Sequence, residues 1–495
     1  MHCWMERNGE LWVTRWVVLV AGVLLLPWPR NGRCQTAPPS PDHPWYSGQE
    51  LRLEQGAAGG AGPKAGTEPV VVAGKVYTLP ELIDLAEMHN PETRLAWERA
   101  RSAAAALGVA RSELYPTIAA AVLSETTRSE IYLNTRFYRQ TIPEFDLALE
   151  LNYTIFDFGA RSGRIDASKA RLLGADFGFN DVHRRLIYRV AAAYYELLNA
   201  SGQVAAARAS LANAEAVKQA AAERLKNGVA TLPDELEAKS AAAEADYELQ
   251  SVLGAREIAY GELATALGVS PAEKLQVEPI DHLPIPDTLE TSVDEAMDRA
   301  FHERPDLMQR MTAIREADAH LKEAHAAYYP TLQMRVRPDA QALYGLQQQL
   351  PWGSTADLDG EVVLGLHWTI FDGGLRRSQE AKARADLHTA QAQADALRDD
   401  IQDGVWTAYS NLKTALHQRQ AAEALLDAAD LSYSAAIESY HDGVRDLLDV
   451  TAAQKTLASA RSEDVLARAQ VLSALAALAF ETGDSIQAPA ARSQP

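Results

Sequence analysis

Two segments of the chain alternate between apolar and polar residues. Alternation with a period of two predicts β-strands that have one apolar face. Segments of about ten residues also suit tilted strands that cross a bilayer, with aromatic residues near its interfaces. The positions that we then expect to face lipid are Leu147, Leu149, Leu151, Tyr153, Ile155, Val362, Leu364, Leu366, Trp368 and Ile370. The half-buried sheet of a soluble protein gives the same pattern and is the alternative.

Two other stretches contain no proline, from Arg161 to Leu225 and from Leu375 to Tyr440. Each predicts one helix of about 65 residues, which is about 98 Å long at about 1.5 Å per residue. Gly228 and Gly443 then mark helix-ending turns at what we expect to be the tips of the helices.

A returning helix is predicted after each turn, because small and apolar residues recur there at heptad spacing. The two series are Ala238, Ala242, Ala245, Leu249, Val252, Ala259, Leu263 and Ala266, then Ala453, Leu457, Ala460, Ala467, Val471, Ala474 and Leu478. Each series is broken once by a charged residue, Arg256 in the first and Asp464 in the second. Sustained spacing of about 3.5 residues indicates coiled-coil packing, and alanine at the seam indicates closely spaced helices.

The chain contains the same unit twice. Tyr115-Pro116 and Tyr329-Pro330, the two Thr-Ile-Phe-Asp motifs, and the two glycine turns are each separated by nearly the same number of residues. Such a constant offset indicates a tandem duplication. In each unit we expect a helix of about 35 residues before the Tyr-Pro pair, then two strands and a long helical hairpin. Asp157-Phe158-Gly159 resembles a kinase motif, but its copy reads Asp372-Gly373-Gly374 and no other kinase motif is present.

The duplication and the composition divide the chain into six segments. Residues 1–37 combine early arginines with a short apolar core and read as a signal peptide, with a buried N-terminal helix as the alternative. Residues 38–78 and 270–291 are linkers rich in proline or glycine. The repeats occupy residues 79–269 and 292–482, and residues 483–495 form a tail. No segment after the leader is apolar enough to predict a transmembrane helix.

Composition excludes several classes of function. The formal net charge of -20 over 495 residues argues against a nucleic-acid partner. The only two cysteines, Cys3 and Cys34, lie in the leader region, so the body has no disulfide, thiolate nucleophile or cysteine metal site. His302-Glu303 has no second histidine four residues on, and no catalytic set is recognisable. We therefore expect no enzyme activity, cofactor or metal.

The predicted strands number two in each unit and four in the chain. Strands in lipid must form a closed sheet, and the smallest bacterial barrels have about eight. Several protomers would therefore have to share one barrel, which continues into a tube of long helices. Such an assembly is a conduit. A soluble periplasmic coiled-coil adaptor or scaffold is the alternative, and the paired alternating strands argue against it.

The duplicated landmarks resemble those of the outer membrane efflux protein family, the TolC-like channels, over residues of about 79 to 482. The resemblance implies a mainly α protein with a small β part, in which protomers share a transmembrane β-barrel and a long antiparallel coiled-coil barrel. It implies a homotrimer in outer-membrane lipid with a periplasmic tunnel. It also implies a periplasmic adaptor and an inner-membrane transporter as partners, in efflux or type I secretion.

In this family the gate lies at the periplasmic tips, where a tyrosine, an arginine and aspartates close the entrance. The positions that match are Asp234, Tyr440, Arg445 and Asp449. An aspartate ring would favour cations. Two positions depart from the family pattern, since Ala452 stands for a second ring aspartate and Pro233 for a hydrogen-bonding residue. The alternative is that Asp234 and Asp449 only cap helix starts and that Tyr440 and Arg445 are packing and surface residues.

Overall fold

The fold is described from a computed structural model. The structure describes residue 42 and residues 75–484, except for gaps at 134, 273–274, 281–282, 284, 287–291 and 348–352. The first repeat contains β1 (Val76–Tyr77), α1 (Leu79–His89), α2 (Pro91–Ser112), β2 (Thr117–Leu133), β3 (Arg136–Phe156), α3 (Ala160–Lys226) and α4 (Leu232–Leu267). The second contains β4 (Gln276–Val277), α5 (Val293–Glu303), α6 (Pro305–Ala326), β5 (Thr331–Gln347), β6 (Gly353–His367), α7 (Leu375–His441) and α8 (Leu447–Thr482). The predicted signal peptide, nearly all of the first linker, and the end of the tail lie outside the described residues.

The long helices form as the proline-free runs predict. Helices α3 and α7 each have 67 residues, about 100 Å at about 1.5 Å per residue. The repeated Asp-x-Gly motif starts each of them. The carboxylate of Asp157 accepts hydrogen bonds from the backbone of Gly159 and Arg161, and Asp372 does the same for Gly374 and Arg376. The repeated motif is therefore a helix-starting turn.

The expected single helix of about 35 residues before each Tyr-Pro pair is wrong. Two helices stand there in each repeat, because Pro91 and Pro305 each start a new helix as its first residue. The residue before each proline holds the end of the returning helix. The Asn90 side chain donates to the carbonyl of Ala266, and the Arg304 guanidinium donates to the carbonyl of Glu481, both at 3.2 Å.

Four strands form one antiparallel sheet in the order β2-β3-β5-β6. The central pair, β3 and β5, joins the two repeats, while β2 and β6 pair on one side only within the described residues. The strands have 15 to 21 residues, longer than the predicted ten. Both outer strands therefore present unpaired backbone groups along most of their length.

The largest apolar core surrounds the middle of α3, where α1, α4 and α8 meet it. It includes Leu82, Leu186, Val190, Tyr194, Leu198, Leu263, Leu267 and Leu472. Burial raises the pKa of Tyr194 to about 12, so this phenol is neutral at any physiological pH.

A buried ionic cluster lies beside this core and ties α3 to the second repeat. The Arg184 guanidinium donates to Asp181 at 2.7 Å, to Asp306 at 3.1 Å and to the carbonyl of Phe480 at 2.8 Å. It also lies 4.2 Å from the centre of the Phe480 ring. Arg304 donates to Asp306 at 2.7 Å. Because the charges are paired and hydrogen-bonded, they are tolerated away from water.

One helix in the described part of the chain, α8, is long and apolar enough to cross a membrane by length and composition alone. Its most apolar stretch of 18 residues has a mean hydropathy of 1.3. The sequence analysis did not identify this helix as a possible membrane span. The helix is rich in alanine and packs along α7 and α3. A single helix of this kind is weak evidence for a membrane span, and the hairpin packing accounts for its apolar positions.

Candidate functional site

The tips of the two helical hairpins carry the predicted entrance residues. Gly228 and Gly443 follow the long helices with φ of +75° and +74°, the left-handed conformation that glycine adopts without strain. Backbone hydrogen bonds close both turns, from Val229 to the carbonyl of Arg224 and from Val444 to the carbonyl of Ser439, each at 2.9 Å. The two tips therefore have the same backbone design.

The helices that return from the tips start differently. In the first hairpin, the Asp234 carboxylate accepts hydrogen bonds from the Thr231 backbone at 2.8 Å and hydroxyl at 2.7 Å. These two bonds lower the pKa of Asp234, so it is ionised at neutral pH. In the second hairpin the cap is Asp446, which accepts from the backbone of Asp449 at 3.0 Å. The capping alternative therefore describes Asp234, whereas the Asp449 side chain lies in the first turn of its helix and accepts no capping hydrogen bond.

Tyr440 is engaged inside the protomer. Its side chain is 5% exposed and packs in a small apolar cluster that includes Val217 and Val450. The Arg224 guanidinium lies 4.5 Å from the centre of its ring and donates to its carbonyl at 2.8 Å. Burial raises the pKa of Tyr440, which the charge of Arg224 partly opposes. The ends of α3 and α7 are thereby joined.

Arg224 is the tip residue that sequence reasoning missed. A basic residue in the last turn of a helix interacts favourably with the negative end of the helix dipole. This preference is the one local signal that could have drawn attention to Arg224. Its partner lies in the other repeat, which no local pattern indicates.

Arg445 and Asp449 are exposed at the same tip. Within the part of the chain that the structure describes, neither side chain makes a hydrogen bond or an ion pair. The structure does not bring them into contact with Tyr440. Both charged groups therefore remain available for contacts outside the protomer.

At the other end of the long helices, β3 shows the predicted difference between its two faces. Phe145 and Leu147 are exposed, whereas Asp146 and Ala148 between them are buried. The Arg337 guanidinium of β5 forms a salt bridge with Asp146 on that covered face. In this part of β3, one face is thus apolar and open, and the other carries a paired charge.

The predicted strand in the second repeat ends earlier than expected. Val362, Leu364 and Leu366 lie in β6 and are exposed. Trp368 and Ile370 lie beyond its last residue, His367, so their assignment to the strand is wrong. The Trp368 indole nitrogen donates to the carbonyl of Tyr328 at 3.1 Å. This hydrogen bond anchors the chain as it passes into α7.

A four-stranded sheet with one open apolar face, joined to helical hairpins about 100 Å long, defines the class of outer-membrane channel subunits. The family model "Outer membrane efflux protein" matches residues 82–269 and 296–484. Protein CyaE of Bordetella pertussis is 27% identical over 406 residues, which cover 82% of this chain and 83% of that protein. The outer membrane efflux protein BepC of Brucella suis is 23% identical, over 68% of this chain and 72% of that protein.

Solved structures agree with the fold. The outer-membrane channel OprN superposes with a TM-score of 0.72 at 20% identity, covering 82% of this chain and 89% of that one. The outer membrane protein VceC of Vibrio cholerae gives 0.69 at 19% identity, over 82% and 96%. The chain belongs to the outer membrane efflux protein family. It is a TolC-like channel protein of the outer membrane with a helical extension in the periplasm.

Proposed function

We propose that three copies of this chain form the exit duct of a tripartite efflux or type I secretion system. The observation that carries the proposal is the sheet of four strands whose edges, β2 and β6, have no further strand partner among the described residues. Backbone groups in lipid must be paired, and four strands are too few to close. Pairing β6 of each copy with β2 of the next closes three sheets into one barrel of about twelve strands, which lies within the known range of barrel sizes.

The two faces of the sheet also support a barrel that spans the outer membrane. The exposed apolar side chains of β3 and β6, Leu147, Val362, Leu364 and Leu366 among them, face lipid in this assembly. Asp146 and Arg337 on the covered face then line the lumen. The helical hairpins extend the lumen through the periplasm, where an adaptor protein and an inner-membrane transporter supply the cargo.

The entrance of this duct lies at the hairpin tips. The supporting observation is that Asp446 caps α8, so the exposed Asp449 carboxylate accepts no capping hydrogen bond. Three such carboxylates around one axis create a negative potential that favours cations. Arg445 lies beside them as a further charged group, while Tyr440 holds the tip in shape through Arg224.

Single-channel conductance in a planar bilayer tests the duct and its entrance together. We expect a cation-preferring conductance that loses its preference in Asp449→Ala. Asp318→Ala is the matched control, because it removes the same charge from an exposed pair with Lys322 far from the tips. Loss of preference in both variants, or in neither, would refute the entrance assignment. Absence of any conductance from a membrane-inserted protein would refute the duct.

The particle mass in detergent tests the number of copies separately. Native mass spectrometry is expected to give a complex of three chains. A soluble, detergent-independent protein of one chain would instead favour the periplasmic scaffold.

A further inference from the structure

The apolar face of the sheet carries charges at one end only. Residues that pair across an antiparallel ladder share a face, so the even-numbered residues of β2 lie with the odd-numbered residues of β3. The even-numbered residues of β5 and β6 continue this face. Among its described residues the charged ones are Arg128, Glu130 and Arg139, all in the hairpin of β2 and β3. Two arginines and one glutamate leave a positive end on a chain of net charge -20.

Two aromatic rows locate this hairpin relative to a bilayer. Tyr153 lies on the apolar face of β3. Tyr344 of β5 is 48% exposed on the same face and lies in the row of Pro143, next to the Glu144–Leu343 pair. The two rows are ten residues apart on β3, which is about 33 Å along the strand and about 25 Å of height at a tilt of about 40°. This is the height of the apolar band between the aromatic girdles of outer-membrane barrels.

The charged residues begin directly beyond this band, on the side away from the helices. Arg128 pairs with Thr141, two residues past Pro143, and Glu130 pairs with Arg139 in the next row. Both arginines are exposed, and they are diagonal neighbours on one face. Arg139 donates to Glu130 at 3.2 Å, which uses one of its five N–H groups. Within the described part of the chain, Arg128 makes no ion pair or hydrogen bond.

The row beyond the arginines is an aromatic pair. Tyr132 and Phe137 face each other across the hairpin with ring centres 4.9 Å apart. They are 61% and 73% exposed. Phe137 is six residues past Pro143, about 20 Å along the strand and about 15 Å above the apolar band. Hydrocarbon does not reach this height, so a different surface must cover the two rings if they are to leave water.

We propose that this hairpin binds a phosphorylated glycolipid of the outer leaflet, with Arg128 and Arg139 on its phosphates and Tyr132 and Phe137 on its sugar rings. The inference rests on the proposed barrel, which turns the apolar face toward lipid. From the band outward, the face is apolar, then cationic, then aromatic. Acyl chains, phosphates and sugar rings follow in the same order in such a lipid.

The two kinds of group suit the two parts of this ligand. A guanidinium donates parallel hydrogen bonds to phosphate oxygens, and long arginine side chains reach along the barrel wall to the headgroups. The flat faces of sugar rings stack on aromatic side chains. A glycerophospholipid would satisfy the arginines but brings no sugar to the aromatic pair.

Native mass spectrometry of the full chain in mild detergent, washed free of lipid and titrated with a deep-rough lipopolysaccharide, tests the site. We expect up to one glycolipid per chain. Arg128→Gln should raise the Kd about ten-fold, because it removes charged hydrogen bonds to phosphate. Arg136→Gln is the matched control, since it removes the same charge from the opposite face of the same hairpin, and its Kd should equal that of the wild type.

Comparison lipids distinguish the sources of the anion. Removing the phosphates of the glycolipid should weaken binding to the wild type but not weaken it further in Arg128→Gln. Tyr132→Ala/Phe137→Ala should weaken binding of the glycolipid and leave that of phosphatidylglycerol unchanged. Equal wild-type affinity for phosphatidylglycerol, or competition by inorganic phosphate, would overturn the glycolipid assignment.

The lipid site and the duct can fail separately. Particle mass and conductance are measured without added glycolipid. A conducting complex of three chains that binds the glycolipid equally well in Arg128→Gln and in the wild type overturns the lipid site alone. A single-chain mass overturns the barrel and, with it, the lipid site that depends on its orientation.

Discussion

Arg184 offers a direct test of how the two repeats are held together. The substitution Arg184→Met keeps an apolar stem of similar length and removes the guanidinium. The guanidinium is almost fully buried and serves Asp181, Asp306 and the carbonyl of Phe480. Its loss leaves a carbonyl without that donor and weakens the pairing of two buried carboxylates.

The expected loss of stability depends on the partners that Asp181 and Asp306 keep in this variant. Removing one member of a buried ion pair costs about 3–5 kcal/mol. Asp306 retains Arg304, and Asp181 retains Arg185, so the lower end of about 3 kcal/mol is expected. In a chain of this size the unfolding entropy is about 1 kcal/mol/K, so this corresponds to a fall in melting temperature of about 3 °C.

Thermal melting in detergent, followed by far-ultraviolet circular dichroism, measures the effect. Arg185→Met is the matched control, because the neighbouring arginine also pairs with Asp181 but its side chain is 60% exposed. Because Arg185 lies mostly in water and Asp181 keeps the buried Arg184, we expect a loss of about 1 kcal/mol or less, so this variant should melt close to the wild type. Equal shifts in the two variants, or no shift in Arg184→Met, would show that burial of the ion pairs does not set their contribution.

Three further predictions concern pH, backbone strain and the tip. Burial alone would raise the pKa of Asp306, but the hydrogen bond from Arg304 helps to lower it overall. The ionised Asp306 carboxylate therefore stabilises the fold fully above the unfolded pKa of about 3.9, and this stabilisation is lost as the pH falls below that value. In Asp306→Asn, the melting temperature should therefore fall less steeply as the pH is lowered into the acid range. Gly483→Ala should destabilise the protein by about 1 kcal/mol or more, and by more than Gly228→Ala, when the two melts are compared. Both glycines have positive φ, but only at Gly483 does an added Cβ approach a backbone atom, 3.2 Å away in Arg304. Arg224→Met should speed amide hydrogen exchange in the second hairpin turn, because it removes a contact at the tip only. The melting temperature of the core should not change. Unchanged exchange would contradict the role of Arg224 in joining the ends of α3 and α7.

The long helices were predictable because helix length depends on a local property. Proline is absent from each run, and a glycine follows its end, so the bounds of α3 and α7 lie within about two residues of the prediction. The sheet was less predictable. β2 is rich in alanine, serine, threonine and charged residues, and it therefore shows weak alternation. Its pairing with β3 extends over the full strand because the hairpin register, once set, continues beyond the apolar segment.

The residues at the entrance were predictable only in part, because a sequence pattern reveals contacts between nearby residues but not contacts between distant segments of the chain. The Thr231 and Asp234 capping box is a signal of three-residue spacing. The choice between Asp446 and Asp449 as the second cap depends on a difference of three residues in where the helix starts, which sequence patterns do not resolve. Arg224 on Tyr440 joins the two repeats, and such contacts follow from the tertiary fold alone.

The duplication explains why one chain shows two versions of the same helix. Ala191 of α3 is buried, whereas Trp406 at the same place on α7 is exposed. A repeat inherits its heptad pattern from its ancestor, and the pattern specifies which face is packed but not whether the partner belongs to the same chain. In α3 the partner is α8 of the same chain; in α7 the corresponding surface is exposed within the part of the chain that the structure describes. A large apolar side chain on an open, matched stripe is costly in a monomer unless a second copy covers it. In the proposed three-copy assembly, the differences between the two repeats, more than their similarities, would therefore mark where one copy ends and the next begins.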